Sequence, residues 1–100
     1  MNDSQAETKI KEILFNNLPT EGYRVFMFGS RAEGKNRRWS DFDIGILGEQ
    51  EIKVQILHKI ESEFEESDIP YKVDVVDFSK VSDNFKKVAL TNIKEWKIKK

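Results

Sequence analysis

The chain has 100 residues, 38% of them hydrophobic and 35% charged, with a formal net charge of −1. That length suits one modest core, predicted here as a single domain over residues 1–100, and the balanced charge argues against a broad nucleic-acid footprint. Without cysteine there are no disulfides or thiolate metal sites. The polar start Met1-Asn2-Asp3-Ser4-Gln5, with no apolar run long enough to span a bilayer, predicts a cytoplasmic protein with no membrane partner.

In chain order, Ala6, Ile10, Ile13, Leu14 and Leu18 recur at the spacing of one helix face. A helix is therefore predicted over residues 4–18, with Ser4 as N-cap, Glu7 completing a capping box, and Pro19 as the stop. Tyr23-Arg24-Val25-Phe26-Met27-Phe28 is short, aromatic and β-branched between Gly22 and Gly29, which reads as a strand. Gly29-Ser30 then turns into a loop that Arg31, Lys35, Arg37 and Arg38 make locally basic, with a helical turn possible over residues 30–34. Arg31 is the best placed of these cations to meet a phosphate or an acidic partner. Trp39 is expected to pack under the loop; the other reading is that it stacks near a nucleobase.

The next strand, Asp41-Phe42-Asp43-Ile44-Gly45-Ile46-Leu47, alternates. Asp41, Asp43 and Gly45 share one face, and Phe42, Ile44 and Ile46 the other. The two carboxylates are then about 7 Å apart at the backbone, close enough for flexible side chains to meet around a divalent ion. Asp is a poor strand former, so two on one strand point to chemistry. Oxygen donors of this kind suit Mg²⁺ held jointly with substrate phosphates, and a Gly-Ser turn offers backbone N–H groups, a hydroxyl and close approach. The sequence contains neither a P-loop nor a dinucleotide fingerprint.

Residues 50–67 read as a second helix with Ile52, Ile56, Leu57, Ile60 and Phe64 in one stripe. His58 lies off its centre and reads as a surface residue. After the break Asp68-Ile69-Pro70, residues 71–78 read as a third strand. Asp77 is an odd number of residues from Asp74 and so faces away from it, as a strand-end or capping residue. From Ser82, a natural N-cap, Phe85, Val88, Ala89, Ile93 and Trp96 fall at helical spacing. The lysine-rich tail beyond Trp96 is a candidate docking end. The predicted order is α-β-β-α-β-α, an α/β (α+β) fold with a small mixed sheet flanked by helices.

Gly29-Ser30, ten residues, then Asp41-Phe42-Asp43 resembles the Gly-Ser-x₁₀-Asp-x-Asp signature of the DNA polymerase β-like nucleotidyltransferases. The longer strings Gly29-Ser30-Arg31-Ala32-Glu33-Gly34 and Ser40-Asp41-Phe42-Asp43-Ile44 resemble the minimal nucleotidyltransferases of HEPN/MNT toxin–antitoxin pairs. The likeness extends through Val73–Asp77 and Phe85–Ala89.

The resemblance implies that Asp41, Asp43 and Asp74 are catalytic and hold Mg²⁺, with two ions expected, and that Gly29 and Ser30 grip the β- and γ-phosphates of ATP. Arg31 and Ser40, in the same strings, are carried over as nucleotide-binding positions. Asp74 would help activate the acceptor hydroxyl, and the crowded carboxylates should raise at least one pKa when no metal is present. The implied activity is transfer of AMP to a hydroxyl. Larger relatives carry a helical acceptor domain for which 100 residues leave no room. A HEPN-family helical partner, with a tyrosine as acceptor and this chain as antitoxin, is therefore expected. Two other readings are a non-catalytic antitoxin that acts by contact and an enzyme that modifies a small molecule such as an aminoglycoside.

Overall fold

The computed structural model describes residues 1–19 and 21–97; residues 98–100, the end of the tail suggested above for docking, lie outside the described residues. Helix α1 runs from Asp3 to Asn17. Its cap is Asn2 rather than Ser4: Asn2 Oδ1 accepts from the Gln5 amide at 2.8 Å, and Gln5 Oε1 accepts from the Asn2 amide at 2.9 Å. The capping box thus forms two residues earlier than predicted. Asn is as good a cap as Ser, and Gln5 supplies the returning side chain. The predicted apolar stripe is buried, from Ala6 through Leu18.

Strand β1, Tyr23–Phe28, pairs antiparallel with β2, Phe42–Gly48. Helix α2, Val54–Glu66, then crosses over to β3, Val73–Asp77, which runs parallel to β2. Helix α2 begins four residues later than predicted from residue 50. The Ile52 amide is held by the Asp77 carboxylate at 3.0 Å, which keeps the approach extended while still burying Ile52.

Helix α3, Asp83–Ala89, starts at Ser82 as predicted, with Ser82 Oγ accepting from the Phe85 amide at 3.2 Å. It does not continue to Trp96. The chain leaves the helix at Leu90 and forms β4, Lys94–Trp96, antiparallel to β1, giving the mixed sheet order β3-β2-β1-β4. The edge of β1 offers unpaired backbone groups, and burial of Trp96 beside Val25 and Met27 outweighs continuation of a short, mostly exposed helix.

Alternation along the strands gives two cores. Helices α1 and α2 pack on the face carrying Val25, Met27, Phe42, Ile44 and Ile46. The opposite face is aromatic: Phe26, Phe28 and Phe78 meet edge to face at 4.9–6.3 Å, with Phe85 of α3 against them. Asp43 belongs to this second face, at the end where β1 stops.

Candidate active site

The site forms where β1 ends and β2 begins. Phe28 is the register partner of Asp43, so Gly29, one residue beyond, is brought against that side chain. Gly29 has φ of 75°, and a Cβ built there would collide with the Asp43 carboxylate. Both the left-handed backbone and the close approach therefore require glycine. The chain then makes one helical turn: the Glu33 amide donates to Gly29 O at 3.1 Å, Gly34 to Arg31 O at 3.4 Å and Lys35 to Ser30 O at 2.9 Å, with Gly34 at φ 72°. This is the 6→1 and 5→2 pattern of a Schellman end, and it closes the turn after only a few residues. The amides of Ser30, Arg31 and Ala32 take no acceptor among the described residues. They form a small donor-rich corner beside Asp43.

Asp43 and Asp74 are partners across the parallel β2–β3 pair, so their side chains leave the same face one strand spacing apart. Asp41 sits exposed just before β2, on the same side of the alternation. The other two charges act on Asp43. Partial burial pushes the Asp43 carboxyl above the usual carboxylate range, and the nearby Asp74 and Asp41 charges raise it further, with Lys72 opposing them. Lys72 was not singled out from the sequence. It lies two residues before Asp74, hence on the same face, and pairs with it at 3.7 Å.

Ser40 and Arg31 have internal partners. Ser40 Oγ accepts from the Arg37 amide at 2.8 Å and closes the turn before Asp41. Arg31 turns inward: Nε and Nη2 donate to Ser40 O at 2.9 and 2.7 Å, Nη2 reaches Arg38 O at 3.4 Å, and Nη1 pairs with Asp3 at 3.2 Å. Its guanidinium lies 3.9 Å over the Phe42 ring. With that space taken, Trp39 cannot pack under the loop as expected; it lies outside, 61% exposed, against Tyr71. Asp77 ends β3 and accepts from the Ile52 amide and from the Ser79 amide and hydroxyl, in keeping with the strand-end or capping residue predicted.

Among the described residues, no group of three or more His, Cys, Asp or Glu closes into a ready-made metal cage. The donor set still fits Mg²⁺, which is held by one or two carboxylates together with substrate phosphates rather than by an all-protein shell. Asp43 is raised first by burial and then by the charges of Asp74 and Asp41, and a divalent cation would offset both by favouring its charged form.

A mixed sheet that sets an acidic pair beside a Gly-Ser turn defines a small nucleotidyltransferase. The family model for polymerase β nucleotidyltransferases matches residues 8–95, and the chain belongs to that family. It is 34% identical over 79 residues to a Haemophilus influenzae protein named "Probable protein adenylyltransferase MntA", covering 79% of this chain and 68% of that one. A crystal structure described as a toxin-antitoxin with AMP-PNP superposes with a TM-score of 0.72 at 26% identity, covering 93% of this chain and 74% of that chain. A solved structure described as a "putative minimal nucleotidyltransferase" superposes with a TM-score of 0.71 at 20% identity, covering 93% of this chain and 94% of that chain, and supports the fold. Among the described residues, no helix is long and apolar enough to cross a membrane.

Proposed function

We propose that this enzyme transfers AMP from ATP to a hydroxyl of a partner protein, a tyrosine on a HEPN-family helical toxin, and so acts as its antitoxin. The main support is the pairing of Asp43 with Asp74 next to Gly29, which puts two carboxylates and a donor-rich turn around one small volume. The MntA relative bears the name of a protein adenylyltransferase, and the AMP-PNP structure is that of a toxin–antitoxin.

In this reading the Ser30 hydroxyl and the free amides of the 30–32 turn receive the β- and γ-phosphates. Asp41, Asp43 and Asp74 hold Mg²⁺, which when bound supplies neutralisation of charge on the triphosphate. The Asp74 side chain is 41% exposed, so an acceptor oxygen can reach it, and it is suited to take the proton from that oxygen. That oxygen forms its bond to the α-phosphorus as the bond to pyrophosphate breaks, and pyrophosphate leaves. Arg31 is assigned to hold the loop rather than to touch nucleotide, because each of its guanidinium nitrogens already has an acceptor within the chain.

The test is transfer of label from α-phosphate-labelled ATP to the protein encoded beside this one, in Mg²⁺. A labelled partner band that disappears with Asp43→Asn is the expected result. A stable complex with bound ATP and no label would overturn catalysis in favour of neutralisation by contact. Labelling of a small molecule by the isolated chain would redirect the acceptor.

A further inference from the structure

The Arg31 side chain is only 4% exposed, although it carries a full positive charge. Its fork holds the Ser40 carbonyl by two nitrogens, at 2.9 and 2.7 Å, and its plane is covered by the Phe42 ring at 3.9 Å and flanked by Tyr71 at 5.0 Å. Its counter-charge comes from the start of α1. Asp3, the first residue of α1, pairs with Arg31 through one carboxylate oxygen and accepts the Tyr71 hydroxyl at 2.8 Å on the other. Tyr71 stands three residues before Asp74, and Ser40 stands one before Asp41. The Phe42 amide, donating to Lys72 O at 2.9 Å, ties the same two segments at the backbone.

We propose that Asp3, Arg31 and Tyr71 form a positioning clamp that sets the Ser40–Asp41 peptide, and with it the Asp41 carboxylate, against Asp43 and Asp74. The proposal rests on the reading that these three carboxylates hold the metal-bound nucleotide. Asp41 lies outside the β2 ladder, so sheet hydrogen bonds do not fix its orientation. The carbonyl of the preceding peptide is gripped instead, and a planar two-point grip fixes rotation where a single bond would not. The 2.8 Å hydrogen bond from the Tyr71 hydroxyl to Asp3 raises the pKa of Tyr71 and lowers that of Asp3. The start of α1 thereby becomes part of the site's supporting shell, although no residue of α1 carries the family signature.

The clamp is tested with Asp3→Asn and Tyr71→Phe, both small changes at the surface, and with Arg31→Lys, which keeps the charge and removes the fork. Three quantities are read: Mn²⁺ affinity by water-proton relaxation without nucleotide, kcat and KM for ATP, and the thermal midpoint. Asp3→Asn and Tyr71→Phe should each weaken Mn²⁺ binding and lower kcat about tenfold, the usual effect of losing a supporting hydrogen bond at a metal site. KM for ATP should move little. Because both act through Arg31, the double variant should be no worse than the weaker single, and Arg31→Lys should match it.

Wild-type Mn²⁺ affinity and kcat in Asp3→Asn and Tyr71→Phe would overturn the clamp. So would losses that multiply in the double variant, or losses that merely track the folded fraction at the assay temperature. Asp43→Asn serves as the control. If it too left transfer intact, the assignment of the acidic site itself would fail, whereas an inactive Asp43→Asn beside unaffected clamp variants would sink the clamp alone.

Discussion

At Gly29 the backbone angle and the neighbouring carboxylate act together. Gly29→Ala must adopt a left-handed conformation, costing about 1–2 kcal/mol, and must also displace Asp43, which its Cβ would strike. A lowered thermal midpoint together with loss of label transfer is expected, and retained activity would show that Asp43 has room to move. Asp43 itself carries the opposite burden. Its carboxyl is raised by burial and by Asp74 and Asp41, so the folded chain holds that proton more tightly than the unfolded one. A raised carboxylate destabilises the fold once pH exceeds its unfolded value, about 3.9, and the penalty is complete above its folded value. Asp43→Asn removes that penalty. At neutral pH without metal, the inactive variant should melt at a higher temperature than the wild type, and adding Mg²⁺ with ATP should stabilise only the wild type. A lower melting temperature for metal-free Asp43→Asn would contradict this. The site thus trades stability for the ability to gather charge.

Among the elements, β1 was legible because five of its six residues are apolar or aromatic and the run stands between two glycines, and β2 because its alternation sorts carboxylates from apolar side chains. The stripes of α1 and α2 were equally plain. What escaped was β4. Lys94-Glu95-Trp96 is three residues long, too short to show a period of two, and Trp96 happens to extend the helical spacing of Phe85 and Ala89. Its strand conformation depends on β1, about seventy residues earlier in the chain. Separation along the chain also hid the Arg31 clamp, because its partners Asp3 and Tyr71 meet the loop in space and are remote from it in sequence. Trp96 anchors β4 in the larger core at 4% exposure. Trp96→Ala should therefore cost about 3–5 kcal/mol by urea titration, while Val88→Ala, at a position 73% exposed on α3, should change stability little. Had the helix continued to Trp96 on the surface, the two substitutions would cost alike.

Across the whole molecule, the two cores on opposite faces of the sheet are joined at its ends by buried or half-buried polar groups, and Asp77 is the clearest. It ends β3, is 9% exposed, and holds the start of the α2 segment through the Ile52 amide at 3.0 Å and the Ser79 turn through an amide at 3.0 Å and a hydroxyl at 2.7 Å. Burial alone would raise its carboxyl, but the Ser79 and Ile52 hydrogen bonds and the Lys80 charge outweigh it and leave the pKa below the usual range. Asp3 is lowered too, first by the Tyr71 hydroxyl, which outweighs the opposing effect of burial, and then by Arg31. For a depressed carboxylate the sign is fixed. Its stabilisation is fully present above the unfolded value, about 3.9, and is lost as pH falls through the lower folded value. Asp43 shifts the other way and cannot supply an acid-unfolding limb. Stability below about pH 4 should therefore fall chiefly through Asp77 and Asp3, at opposite ends of the chain. Asp77→Asn keeps the shape and an acceptor oxygen but not the charge, so at neutral pH it should cost about 1–3 kcal/mol. Urea titrations at pH 7 and again at acid pH should show the gap between wild type and Asp77→Asn narrowing on acidification, because the wild type becomes protonated at the same position. A gap that stayed constant would mean that Asp77 holds the two cores together by shape and hydrogen-bond count rather than by its charge.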